Sequence, residues 1–302
     1  MSEDPIEPEV PDTESTRGLT APTPEVAELL ERALGIAEEE EWEVVAETLR
    51  DALEVHPEDP YILCWLGMAE REMGMDGVAY ERFRRSLDQE PADPVLLATA
   101  GNALAAFDDP AAEAALRTAA LLGPDFAQAR WMYGAYLCRE GMLEEGLAEL
   151  EAAALLTPED SVVQTERGVA FVLLERMEEA AAAFGRAVEL EPEDGWSLVL
   201  LGLARIETDD LEDAVPPLDE GARLRPDDLD AQLLAALSHA ATGREDRALE
   251  MLERGRLRAE GVDARLVLEV EERIEAGSDA ASLFLRESLA PSSLRERVME
   301  RP

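Results

Sequence analysis

Along most of the chain, apolar and small residues recur three and four positions apart, and that helical pattern itself repeats. Bulky apolar residues stand at Leu49, Phe83, Leu116, Leu150, Phe184 and Leu218, each three residues before a small one: Ala52, Ser86, Ala119, Ala153, Ala187 and Gly221. Eight residues after each bulky position comes a proline: Pro57, Pro91, Pro124, Pro158, Pro192 and Pro226, spaced 34, 33, 34, 34 and 34. Glycines run in phase at Gly67, Gly101, Gly134, Gly168 and Gly202, and a small residue follows at Ala79, Ala112, Gly146, Ala180 and Ala214. A fixed period of this length is the signature of stacked repeats. Each unit is predicted to be two short helices. The glycine lets the second helix approach the backbone of the first, the bulky residue fills the crossing, and the proline ends the second helix. One such pair cannot bury its own apolar face, so pairs must stack.

Residues 60–226 resemble the tetratricopeptide repeat: Leu63-Cys64-Trp65-Leu66-Gly67, Ala79, Phe83 and Pro91 match that family's W-x2-L-G, A-x3-F and P positions, as do Gly168, Ala180, Phe184 and Pro192. The resemblance implies an all-α, right-handed superhelical solenoid of about seven to eight helix-turn-helix repeats. Repeats are expected at about 26–59, 60–93, 94–126, 127–160, 161–194, 195–228 and 229–262. Residues 263–302 are expected to form a degenerate repeat and a capping helix with a polar outer face. Residues 1–22, acidic and rich in proline, are expected to be a disordered, solvated tail; the solenoid would run from 23 to 262. The family's tyrosine three residues after the glycine is replaced by Glu70, Leu104, Leu137, Phe171 and Arg205. Pro216-Pro217 falls inside a second helix and should kink it or delay its start.

Composition adds exclusions. Asp and Glu total 69 against 27 basic residues, a formal net charge of −42; all 27 are arginine, with no lysine. A chain so acidic repels nucleic-acid phosphates and anionic membranes. The acids are spread over every unit, which favours salt adaptation in a GC-rich source, or plain solvation, over a docking patch for a basic partner. Met1 is followed by no basic start or apolar stretch, and no apolar run is long enough to span a bilayer, so a soluble cytoplasmic protein is expected.

Candidate chemistry is sparse. His56 and His239 lie far apart, as do Cys64 and Cys138, and no zinc spacing, P-loop or Gly-rich loop occurs. His239 reads as a packed core residue. The acid pairs Glu58-Asp59, Glu159-Asp160, Glu193-Asp194 and Asp227-Asp228 lack EF-hand spacing and read as caps for the following helices. No enzyme, metal or cofactor is expected.

One further stripe stands out. Offsets −6, −3, +1 and +4 from each glycine share a face of the first helix. In the family that this chain resembles, the same face lines the concave groove. It comprises Tyr61, Cys64, Met68 and Arg71; Val95, Ala98, Asn102 and Ala105; Gln128, Trp131, Ala135 and Cys138; Val162, Thr165, Val169 and Val172; Trp196, Val199, Leu203 and Ile206; and Asp230, Leu233, Leu237 and Ala240. Either a partner fills this apolar strip, or tight coiling or the chain's own terminal segments cover it. Some members of that family clamp a carboxylate with several cations; Arg71 and Asn102 alone do not make such a clamp. The expected function is therefore a non-catalytic scaffold. It would bind an apolar or amphipathic protein segment with basic flanks, anchored by Trp131 and Trp196. The alternative is an assembly protein that self-associates into homo-oligomers through its solenoid.

Overall fold

The computed structural model describes residues 18–257 and 263–299, and among these there are helices and no strands. The chain divides into two compact units, Met1–Ala129 and Arg130–Pro302. In the first unit three helix pairs follow one another: α1 (Pro24–Ala37) with α2 (Trp42–Val55), α3 (Pro60–Glu72) with α4 (Asp76–Asp88), and α5 (Pro94–Ala105) with α6 (Ala111–Leu122). Helix α7 (Ala127–Arg139) spans the division and leads to α8 (Leu143–Leu156). The second unit continues with α9 (Ser161–Leu173) and α10 (Met177–Leu190), α11 (Gly195–Glu207) and α12 (Leu211–Leu224), then α13 (Leu229–Ala241) and α14 (Glu245–Arg256). It ends with α15 (Asp263–Glu275), α16 (Ser278–Phe284), a π turn at Leu285–Leu289 and α17 (Ala290–Met299). Within each unit, successive helices pack as a solenoid of helix pairs.

The crossing inside each pair follows from the glycine. A Cβ built on Gly168 would lie 2.4 Å from the Phe184 ring, one on Gly202 2.4 Å from Leu218, and one on Gly134 2.8 Å from Leu150. Leu49, Phe83, Leu116, Leu150, Phe184 and Leu218 are wholly buried. The predicted caps form as well: Asp59, Asp160, Asp194 and Asp228 accept hydrogen bonds from the first backbone N–H groups of the helices that they precede.

Four features were not legible in the repeat pattern or depart from it. A residue two or three places after each first helix is left-handed: Glu40, Gly74, Asp108, Gly141, Glu175, Asp209 and Gly243 all have φ between 52° and 81°, yet only three are glycine. Helix α12 starts at Leu211 and continues through Pro216-Pro217, so its start is not delayed. Pro217 cannot donate to the carbonyl of Asp213 four residues back, and the Arg205 guanidinium donates to that oxygen instead at 2.5 Å. Glu70, in the tyrosine position, is buried and takes Arg50 and Arg82 at 3.4 and 3.2 Å. Finally, the expected tail is partly tied down: Gly18 N–H donates to Glu90 O (2.9 Å) and Ala92 N–H to Leu19 O (2.8 Å). Residues 1–17 lie outside the described residues.

Two substitutions test this account by urea unfolding. Gly168→Ala forces a methyl group into the Phe184 ring and should lower stability by about 1–3 kcal/mol, despite alanine's better helix propensity. Glu175→Gly relieves a left-handed residue and should raise stability by about 0.5–1 kcal/mol, net of glycine's entropic cost.

Candidate functional site

The stripe on the first helices behaves differently in the two units. In the first, Tyr61, Cys64 and Ala98 are buried, Met68, Arg71, Asn102, Ala105 and Gln128 half-buried, and Val95 exposed. The Tyr61 hydroxyl donates to Asp93 at 2.9 Å, and the other Asp93 oxygen caps α5 through Val95 N–H. Burial and that bond push the Tyr61 phenol up. Burial also pushes the Cys64 thiol up to about 12, which leaves no thiolate nucleophile at neutral pH.

In the second unit Trp131, Thr165 and Trp196 are half-buried and Val162 is exposed, while Ala135, Cys138, Val169, Val172, Val199, Leu203, Ile206, Leu233, Leu237 and Ala240 are buried. The strip around α11 and α13 is not open. Helix α16 and the π turn lie against α13, and α17 lies against α11 and reaches α9. Leu285, Leu289, Ala290, Leu294 and Val298 share one core with Val169, Val199, Leu203, Leu233 and Leu237. The segment expected to be an end cap therefore folds back over the first helices, because it presents an apolar face as well as a polar one. The Leu294-x-x-Arg297-Val298 spacing was the available signal. The π turn stands just ahead of Pro291, which cannot donate to the carbonyl of Glu287.

At the centre of this interface is an arginine. The Arg297 side chain, 8% exposed, meets Asp228 through two parallel bonds of 2.9 and 2.8 Å and Asp230 at 3.1 Å. Its Nε donates to Ser293 Oγ, whose hydroxyl bonds Asp230. The guanidinium lies 5.3 Å from the Trp196 ring centre, and Arg225 lies 5.4 Å from the same ring while pairing with Asp228. Burial disfavours charge on Asp228, but the bonds from Arg297 outweigh it and hold the carboxyl below its ordinary value. At Asp230 burial wins and the carboxyl is raised, with Arg297 and Ser293 opposing. A bidentate pair of this kind is costly to break from one side, about 3–5 kcal/mol. The buried Leu294 and Val298 add roughly 1.5–3 kcal/mol each.

Between α9 and the start of α11 a cleft of about 230 Å³ remains open, lined by Ser161, Val162, Thr165, Glu166, Val169, Glu191, Asp194 and Trp196. Four of these are stripe residues; three are acids at the rim. Trp196 belongs both to this cleft and to the arginine slot. Elsewhere His239 is buried, with Asp219 3.5 Å from its Nε2. Among the described residues no group of three His, Cys, Asp or Glu could hold a metal ion, and no helix is long and apolar enough to cross a membrane.

The Asp228 contribution carries a pH signature. Its folded value lies below the ordinary 3.8, so its stabilisation is complete above that pH and is lost as pH falls through the depressed value. The raised Asp230 has the opposite sign: its effect on stability declines as pH rises from 3.8 through its folded value. The melting-temperature gap between the wild type and Asp228→Asn should be wide at pH 6 and close below about pH 3.8. A gap independent of pH would remove the ion pair from the account.

Comparison with known proteins places this architecture. Family models described as tetratricopeptide repeat match residues 163–194 and 199–260. No curated protein matches the chain in sequence. Among solved structures, YrrB, a TPR protein with an unusual peptide-binding site, matches with a TM-score of 0.51 and 23% identity, covering 64% of this chain and 99% of YrrB. The PilF protein of Pseudomonas aeruginosa matches at 0.58 and 18%, covering 74% and 98%. The APC/C hetero-tetramer Cut9-Hcn1 matches at 0.65 and 18%, covering 80% of this chain and 48% of that one. Residues 163–194 and 199–260 are thus tetratricopeptide repeats by their family models, and the helix pairs built on the in-phase glycine, bulky and proline positions share the fold of these tetratricopeptide-repeat structures.

Proposed function

We propose that the chain is a non-catalytic protein-interaction scaffold that holds an apolar or amphipathic helical segment of a partner on the first-helix stripe of the second unit. The observation that carries this reading is the cleft between α9 and the start of α11. Val162, Val169 and Trp196 give it an apolar floor, while Glu166, Glu191 and Asp194 set acids at its rim. Such a site favours a segment with an apolar face and basic flanks, which the acidic surround attracts and orients. The peptide-binding site of YrrB is a precedent for this use of the fold. In this reading Thr165 and Trp196 contact the ligand directly, with Trp131 at the neighbouring repeat. The buried stripe residues Val199, Leu203, Ile206, Leu233 and Leu237 support the surface from beneath.

Calorimetric titration with two designed helical peptides tests it: one alternating leucine and arginine faces, the other leucine and glutamate. The arginine peptide should bind and weaken as salt rises; the glutamate peptide should not bind. Val162→Glu, at a position 47% exposed, should weaken binding at least tenfold without altering the helical circular-dichroism signal. Trp196→Ala should weaken it about 30-fold, some 2 kcal/mol. Equal binding of both peptides, or indifference to Val162→Glu, would count against the cleft.

A further inference from the structure

Helix α17 does more than close the stack. A cap covers the free side of the last pair, whereas α17 runs back across α11 to the edge of α9. Its buried face is Ala290, Ser293, Leu294, Arg297 and Val298, the three-and-four spacing by which an amphipathic helix anchors in a groove. Only two of these are large and apolar. The centre is a guanidinium bonded to carboxylates 69 and 67 residues earlier in the chain. Core elements rarely commit an arginine to burial, while recognition surfaces often do, because its planar fork gives geometric specificity. The segment is helical from Ser278 to Met299, with its two irregular points at Gly277 ahead of α16 and at the π turn. Gly277 has φ 102° and open space around it, and a π turn separates α16 from α17. The cleft of the proposed binding site shares Trp196 with the Arg297 slot, so the two sites adjoin across one indole ring.

We infer that α17 is an internal ligand that occupies the groove in cis, and that the partner which displaces it is an arginine-bearing amphipathic helix whose guanidinium takes the place of Arg297 between Trp196, Asp228 and Asp230. This rests on the reading of the stripe as a helix-binding groove. In the closed chain the slot is filled and partner affinity is reduced by the fraction of molecules in which α17 is released. An incoming helix with a Leu-x-x-Arg-Val pattern satisfies the same two carboxylates and leaves none of them buried and unpaired.

The test uses a fluorescein-labelled synthetic peptide of residues 285–299, blocked at both ends, titrated into the full chain. Arg297→Ala in the full chain should bind the peptide at least tenfold more tightly than wild type, because the slot is vacated while Asp228 and Asp230 remain. The same peptide carrying Arg297→Ala should lose at least tenfold on that variant. Arg297→Lys, which keeps charge but not the fork, should fall between. In wild type, needing no substitution, saturating peptide should speed hydrogen exchange across 290–299. If wild type and Arg297→Ala bind equally and 290–299 stays protected, α17 is not the occupant, although the groove reading stands. If neither chain binds the peptide, the groove reading fails and the internal ligand with it.

Discussion

In the five repeats that carry the in-phase glycine, from Gly67 to Gly202, the second helix comes so close to the first that a leucine or phenylalanine side chain would stand 2.4–3.0 Å from an added Cβ. At Gly168 and Gly202 the clearance is 2.4 Å, well inside any real Cβ contact. Packing this tight admits one crossing geometry and no slippage, since interiors resist even one added methyl group. Once the glycine face of a first helix is committed to its own second helix, the residues three before and one after that glycine must point elsewhere. The stripe of Val169, Val199, Leu203, Leu233 and Leu237 is thus a geometric by-product of the crossing, and its apolar character needs a cover.

In the second unit that cover is α17, and its chemistry differs from the core beneath. The repeat interiors are joined by Leu, Phe and Ala with few polar atoms. The α17 interface combines two large aliphatic groups with a buried, doubly paired arginine whose guanidinium lies over the Trp196 ring. Such a pair contributes little net stability once its desolvation is counted, yet it is intolerant of the wrong partner. It therefore selects what may lie on the stripe more than it strengthens what does. Lysine could not substitute, because an ammonium neither forks across Asp228 nor stacks flat on the indole.

The repeats were legible because their determinants are local and periodic: Gly67, Phe83 and Pro91 lie within one unit and announce its two helices. The capping role of Asp59 and Asp194 was legible for the same reason, since an N-cap acts two or three residues away. What escaped depends on distance or on backbone conformation. The left-handed positions at Glu40, Asp108, Glu175 and Asp209 are set by the turn geometry that the repeat imposes, and glycine at the equivalent Gly74, Gly141 and Gly243 shows the preference that the other residues override. Pro216-Pro217 was expected to kink α12 or delay its start, but the bond missing at Pro217 is replaced by one from Arg205 on the facing helix, a compensation visible only when the two helices are side by side.

The fold-back of α17 belongs to the same class. From sequence, the stripe was apolar and asked for a cover, with the chain's own terminal segments among the candidates, while 263–302 read as a degenerate repeat and a capping helix with a polar outer face. Nothing in either pattern joined Arg297 to Asp228. Asp228 in particular looked fully explained as the cap of α13, which it is. Yet a carboxylate has capacity beyond one backbone N–H, and here Arg297 and Arg225 use the remainder. Aspartate caps stand at the starts of α3, α5, α9, α11 and α13, and each brings a carboxylate with capacity for a further partner. Where an aromatic residue such as Trp196 stands beside one, the site acquires what guanidinium recognition requires: charge, a planar acceptor pair and a flat apolar face.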